Sequence, residues 1–287
     1  MKAARFAYER PADLSSAVRA LGEYAAASGD AKPMAGGQSL GPMLNLRLAR
    51  PGRVIDLSRI AALRCIESAA TSASVVPDGR WRIGAAVTHA EIEDSPAPLD
   101  GRGFLRHVAS GIAYRAVRNR GTIGGSLAHA DPAADWPLAL NALGAQVCIL
   151  GPGGRRDVSA ADFMRAGFST VLADDEIIEA IDGPVLSAEA RWGYWKICRK
   201  TGEFPEASAA AVFDPVRGHA RIVAGALGTA PVALEGLAEA VARLGSVALT
   251  THAVDQALVD AVSGLDAVER KLHVTALLRA TRQVFES

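Results

Sequence analysis

The chain has 287 residues, 49% apolar and 22% charged, enough for about two domains with buried cores and no compositional case for disorder. Its 31 basic and 31 acidic side chains cancel, which disfavours nucleic-acid binding driven by counterion release. Only three cysteines occur, Cys65, Cys148 and Cys198, with no CxxC spacing; this argues against a zinc site, a redox dithiol, an iron–sulfur cluster held by this chain alone and a secreted disulfide scaffold.

Met1 to Tyr8 holds no apolar run before a cleavage site, and no apolar stretch approaches the ~20 residues of a membrane span. A cytoplasmic protein without a membrane span is expected. Leu14, Val18, Leu21 and Ala25 recur at helical spacing after Asp13, a candidate N-cap, with Gly29 closing the segment. Lys32–Ala35 reads as a strand running into Gly36-Gly37, then a helix through Leu44 and Leu48, and Val54–Leu57 as a second strand. Arg80–Thr88 reads as a strand entering a helix, Phe104–Ile112 as a helix, and Arg118–Ala134 as a glycine-rich loop before a helix from Asp135 to Leu143. Strands follow at Val147–Leu150, Arg155–Val158 and Glu176–Ile181, with Gly183-Pro184 as punctuation. Beyond it lie strands at Trp192–Arg199, Ala207–Phe213 and Ala220–Leu227, then helices at Leu234–Leu244, Ala253–Val262 and Ala267–Phe285. Strands then helices mark an α+β unit, so the boundary is placed near residue 183.

Two glycine motifs carry the chemistry. Ala35-Gly36-Gly37-Gln38-Ser39-Leu40 and Thr122-Ile123-Gly124-Gly125-Ser126 each combine adjacent glycines with a hydroxyl, a composition suited to backbone N–H groups converging on phosphate oxygens. Neither matches GxGxxG or the P-loop, so a dinucleotide would be held by another fold. Asp135 reads either as a helix N-cap or as an acceptor for a ribose or ribityl hydroxyl. Gly37-Gln38-Ser39-Leu40-Gly41 also fits GxSxG, which would make Ser39 a hydrolase nucleophile with His252 or His273 as candidate bases. His129 is the nearest acid–base candidate for a stand-alone flavin oxidase or dehydrogenase. Arg115, Arg118 and Arg120 form either a solvated face, a docking edge or a phosphate contact, and Trp81, Trp136, Trp192 and Trp195 read as core or interface aromatics.

The stretches Ala35–Ile60, Gly121–Leu140 and Lys196–Val212 together resemble the FAD-binding medium subunits of molybdenum hydroxylases, the carbon monoxide and xanthine dehydrogenase group. The resemblance runs over essentially the whole chain in the same order. It implies an α+β protein: a PCMH (vanillyl-alcohol-oxidase-type) FAD-binding domain over 1–183, with α/β lobes of about 1–58 and 59–183. A C-terminal domain over 184–287, an antiparallel sheet with a three-helix bundle, would cover the flavin. It implies FAD on this chain at Ala35, Gly36, Gly37, Gln38, Ser39, Leu40, Thr122, Ile123, Gly124, Gly125, Ser126 and Asp135. Ile112 and Ile178 would be apolar contacts and Lys196 a basic residue near the isoalloxazine. Phe204 stands where the carbon monoxide dehydrogenase group places a tyrosine against the ring. The implied role is electron transfer from [2Fe–2S] clusters on a small subunit to NAD, a quinone or another acceptor. A large subunit would carry molybdopterin, in a dimer of heterotrimers. No metal is expected on this chain.

Overall fold

A computed structural model of the chain describes residues 2–27, 30–68 and 79–286. The first unit comprises β1 (Ala7–Glu9), α1 (Leu14–Ala26), β2 (Ala31–Met34), α2 (Leu40–Asn45) and β3 (Arg53–Asp56), its strands parallel in the order β1-β3-β2. Asp13 caps α1 by accepting the Ser16 N–H at 2.8 Å, and the helix buries Ala17, Val18, Ala20 and Leu21. Gly29, expected to close this helix, lies outside the described residues. The helix α2 ends at Asn45, short of the expected Leu48: Arg47 turns left-handed at φ 58° and Leu48 is left exposed.

The second unit contains β4 (Ile66–Ser68), β5 (Arg80–Gly84), α3 (His89–Glu93), α4 (Phe104–Ser110), α5 (Arg115–Arg118), α6 (Ile123–His129), α7 (Asp135–Leu143), β6 (Gln146–Gly151), β7 (Gly154–Ser159), α8 (Ala160–Phe163), β8 (Met164–Ala166), β9 (Ser169–Thr170) and β10 (Ile177–Pro184). Five strands pair antiparallel in the order β4-β5-β10-β6-β7, and β8 and β9 form a separate hairpin. Two expectations are corrected here. Gly183 and Pro184 do not punctuate the chain but complete β10 opposite Trp81 and Arg80, because the Gly183 position has no room for a Cβ beside the Trp81 ring. The segment Arg118–Ala134 is not one loop, since α6 starts inside it at a Thr122 cap.

The third unit contains β11 (Arg191–Ile197), β12 (Ala207–Asp214), β13 (His219–Gly225), β14 (Val232–Ala233), α9 (Glu235–Leu244), α10 (Thr251–Ala261) and α11 (Ala267–Glu286), with the four strands antiparallel in chain order. Strand periodicity divides this sheet between two cores. Tyr194, Ala210, Val212 and Val223 join the main core around Phe104, Leu138 and Leu140, while Ala207, Ala209, Ala211, Ile222 and Ala224 pack with the three helices. Every residue of α7 is buried, and the helix packs on β12 and β13. The alanine run of β12 is thus a packing requirement on both faces, and Gly193 of β11 lies against the Ala280 carbonyl of α11, where a Cβ would overlap it.

A polar pair, His89 and Trp136, lies inside the main core. Thr88 and Glu91 form a capping box at α3. The next residue after the cap, buried His89, accepts the Trp136 Nε1–H on Nδ1 at 3.0 Å, so its proton sits on Nε2. Burial, with Arg118 adding to it, lowers the His89 pKa to about 4.

Two outcomes follow from this packing. Gly193→Ala lowers stability by about 3 kcal/mol in denaturant unfolding, through overpacking against the α11 backbone; a change within 0.5 kcal/mol (about the scatter of a surface substitution) contradicts that close approach. Because the folded His89 pKa lies below its unfolded value of 6.5, the unfolded chain binds more protons between about pH 6.5 and 4 and this group's contribution falls as pH falls through that window. The stability advantage of the wild type over His89→Gln therefore shrinks by on the order of 3 kcal/mol between pH 7 and 4. Parallel pH–stability curves for the two proteins contradict this.

Candidate functional site

Gly37 takes φ 70°, turning the chain from β2 into α2. Among the described residues, the backbone N–H groups of Gly36, Gly37, Gln38, Ser39 and Leu40 donate to no protein acceptor. Gly36 is pressed against the neighbouring segment so closely that a Cβ would overlap the Arg120 carbonyl. Its own carbonyl accepts from the Gln38 amide at 3.3 Å and from Arg120 Nε at 3.4 Å. The two glycine motifs therefore meet, and Ala35 lies 3.9 Å from where a Gly125 Cβ would stand.

The second motif works differently from the expectation of a matching nest of free donors. Ile123 N–H bonds to Val87 O at 3.1 Å, Gly124 N–H to Ala85 O at 3.0 Å, Ser126 N–H to Thr122 O at 3.0 Å and Gly125 N–H to Thr122 Oγ1 at 3.0 Å. Gly124 is required because a Cβ would collide with Ala85. This motif locks the wall of the site, with Ser126 half-buried.

Asp135 is not an N-cap; Ala134 holds that position without a side-chain bond. The Asp135 carboxylate, 8% exposed, instead accepts the Tyr194 hydroxyl on Oδ1 at 2.6 Å and forms an ion pair with Lys196, whose Nζ stands 2.9 Å from the same oxygen. Oδ2 takes no hydrogen bond from the described residues. Asp131, four residues earlier, closes its own turn by accepting the Ala133 N–H at 2.9 Å. Lys196 also donates to the Gly111 carbonyl at 2.9 Å, next to half-buried Ile112. The loop carrying Phe204 is seated on the same turn, since a Cβ on Gly202 would stand 2.6 Å from the Ala113 carbonyl. Phe204 itself is 68% exposed. Ile178 is buried in β10 opposite Ile149; β10 packs on α6, and the carbonyl of the next residue, Glu179, accepts the Ala85 N–H at 3.0 Å.

Tyr194, outside the expected set, proves central. The signal available for it is strand periodicity, since residues 194 and 196 of one strand share a face. Its ring packs edge-on to Phe104 and His107 at centroid distances of 6.1 and 6.0 Å. Burial, then the Asp135 charge, raises its phenol well above 10, so the hydroxyl keeps its proton. Burial and the Lys196 charge hold the His107 imidazole below its ordinary value.

The arginine cluster divides. Arg115 pairs with Glu93 at 2.8 Å and with Asp94, while Arg118 pairs with Glu93 at 2.8 Å and donates to the Ile112 and Ala113 carbonyls at 3.0 and 3.1 Å. These two anchor the 112–113 turn, and Arg120 reaches the glycine loop. Trp81 and Trp136 are fully buried, Trp192 Nε1 donates to Arg102 O at 3.0 Å, and Trp195 lies 4.9 Å under the Arg279 guanidinium.

The competing sites do not assemble. Ser39 has no side-chain partner among the described residues, His252 is on α10, and His273 bonds the Glu269 and Gly225 carbonyls on α11 and β13. His129 rests on Phe168 at 5.2 Å, with no acidic partner among the described residues. Cys148 lies 3.3 Å from Asp182 Oδ2, and burial pushes its thiol up, which favours the protonated sulfur. Among the described residues no cluster of His, Cys, Asp or Glu could hold a metal ion.

The family model described as the FAD binding domain in molybdopterin dehydrogenase matches residues 4–186. The nicotine 6-hydroxylase medium subunit of Paenarthrobacter nicotinovorans is 37% identical over 214 residues, covering 75% of this chain and 71% of that protein. The carbon monoxide dehydrogenase medium chain of Hydrogenophaga pseudoflava is 38% identical over 208 residues, 72% of this chain and 69% of that one. The solved carbon monoxide dehydrogenase of Hydrogenophaga pseudoflava superposes with TM-score 0.89 at 31% identity, covering 100% of this chain and 99% of that chain. Quinoline 2-oxidoreductase from Pseudomonas putida 86 superposes with TM-score 0.86 at 28% identity, with coverage of 100% and 99%. A matched domain over more than half of the chain, with relatives this similar, places it: the chain belongs to the family of FAD-binding domains of molybdopterin dehydrogenases.

Proposed function

We propose that this chain is the FAD-carrying electron-transfer subunit of a cytoplasmic molybdenum hydroxylase, an oxidoreductase in which a small subunit bears [2Fe–2S] clusters and a large one bears molybdopterin. The relatives named as medium subunits and medium chains support a multi-subunit assembly; the form proposed for it is a dimer of heterotrimers. No helix of the described residues is long and apolar enough to cross a membrane. The domain division proposed is 1–183 for FAD binding and 184–287 for the cover; the third sheet begins at Arg191.

The observation that carries the reading is the run of five unused backbone N–H groups from Gly36 to Leu40, against a wall formed by the second glycine motif. These donors fit a pyrophosphate, which needs several N–H groups and close backbone approach. The free Asp135 Oδ2 fits a ribose or ribityl hydroxyl. Lys196 and Ile112 would stand towards the ring system, with Phe204 as its apolar cover and Ile178 supporting from the core. FAD, when bound, supplies the exchange between single-electron clusters and an acceptor such as NAD or a quinone.

This chain's residues do the holding. Gly36 admits the Arg120 segment, Thr122 fixes the second motif, and the Lys196 ammonium, held by Asp135 Oδ1 and the Gly111 carbonyl, keeps a positive charge at the rim. The complex purified with its partners releases FAD on acid denaturation, and its flavin is reduced through the clusters when substrate is added. A complex without flavin overturns the assignment. Gly36→Val weakens FAD binding about tenfold or more, a loss of at least about 1.4 kcal/mol, and wild-type affinity in that variant moves the pyrophosphate elsewhere.

A further inference from the structure

We infer that Tyr194 is a positioning residue for the flavin site, acting through Asp135 to hold the carboxylate with Oδ1 occupied and Oδ2 free for the ligand. The inference rests on the FAD reading above and deepens it.

Three observations on the page carry it. First, the side-chain hydrogen bond that Asp135 accepts among the described residues comes from the Tyr194 hydroxyl, 2.6 Å from Oδ1, while Lys196 Nζ stands 2.9 Å from the same oxygen as an ion pair. A directional hydrogen bond orients the carboxylate in a way that a charge alone does not, and with the ammonium at the same oxygen it leaves Oδ2 unshared. Second, Tyr194 is itself immobilised at both ends. Its backbone N–H donates to Gln283 Oε1 of α11 at 2.8 Å, and its ring is wedged edge-on between Phe104 and His107. The hydroxyl thus has one place to be, set by the third unit and by α4 together. Third, the phenol is 6% exposed and keeps its proton, so it is a permanent donor that water does not replace.

Lys196 alone would not do this. Its ammonium donates its hydrogen bond to the Gly111 carbonyl and meets Asp135 as an ion pair, on a flexible four-carbon stem. The rigid phenol supplies the geometric definition, and the ammonium supplies the charge. The arrangement also ties ligand binding to the seating of the third unit, because α7 contributes the carboxylate and β11 contributes both of its partners.

The test uses the full-length chain, freed of flavin and titrated with FAD. Tyr194→Phe keeps the ring and removes only the hydroxyl. It weakens FAD binding about tenfold, which is 1.4 kcal/mol, and the bound flavin has a more negative midpoint potential because the Asp135 charge is no longer shared with a donor. The potential is the readout that lost packing alone would not move. In an Asp135→Asn background, Tyr194→Phe causes no further loss of FAD affinity, since it acts through the missing carboxylate. Affinity of Tyr194→Phe within twofold of wild type, an unchanged potential, or losses that multiply in the double variant each overturn the proposal. Failure of the wild-type chain to bind FAD at all would instead remove the FAD reading beneath it.

Discussion

The Asp135 carboxylate, taking the Tyr194 hydroxyl and the Lys196 ammonium on a single oxygen, joins the first turn of α7 to β11. The side chains of Lys196 and Asp135 are 12% and 8% exposed, so the pair sits where leaving one partner alone costs about 3–5 kcal/mol. The far end of the same helix is held by the same sheet. Arg221 donates to the Asn141 carbonyl at 2.8 Å, and His219 Nε2 lies 2.8 Å from the Ala142 carbonyl, where α7 would otherwise end with unused acceptors. A wholly buried helix thus has its negative first residue and its terminal carbonyls answered by one neighbouring sheet. The remaining site residues take their positions from this arrangement: Lys196 reaches from Asp135 to the turn at Gly111, and the Phe204 loop leans on the next residues of that turn.

The two glycine motifs look alike in composition and serve different physical needs. At Gly36 and Gly37 the absence of side chains permits a left-handed residue and a backbone contact, and the N–H groups remain unspent. At Gly124 the absence of a side chain lets α6 approach Ala85, and the N–H groups around it are spent on Val87, Ala85 and Thr122. One motif is a donor surface, while the other is the rigid support behind it. Buried His89, whose backbone N–H bonds to Gly121 O and whose ring accepts from Trp136, ties that support to α7.

Charge on the five-stranded sheet is handled locally. Arg82 pairs with Asp182 at 2.8 Å, and Arg155 reaches Glu179 at 2.7 Å, holding the Glu179 carboxyl below its ordinary range. Arg156 does the same for Glu176 at 2.6 Å. The zero net charge of the chain is therefore built in part from pairs closed within the fold. The arginines near the second motif belong to this pattern, with Arg115 and Arg118 committed to Glu93 and Asp94 before any partner arrives.

Local chemistry made much of the molecule legible from the residues alone. Asp13 before an apolar helical repeat, Thr88 with Glu91 three residues on, and alternating strands around short glycine turns each contain their own cause within a few positions. Other features had no local cause. That β10 runs on through Pro184, that Asp135 bonds rather than caps, and that the Gly124 N–H is spent inside the fold depend on residues 39 to 103 positions away: Trp81, Tyr194 and Ala85. A sequence states which groups can donate, accept or turn. Only the packed chain decides which partners are close enough to use them, because a hydrogen bond spent on a neighbour is no longer available to a ligand.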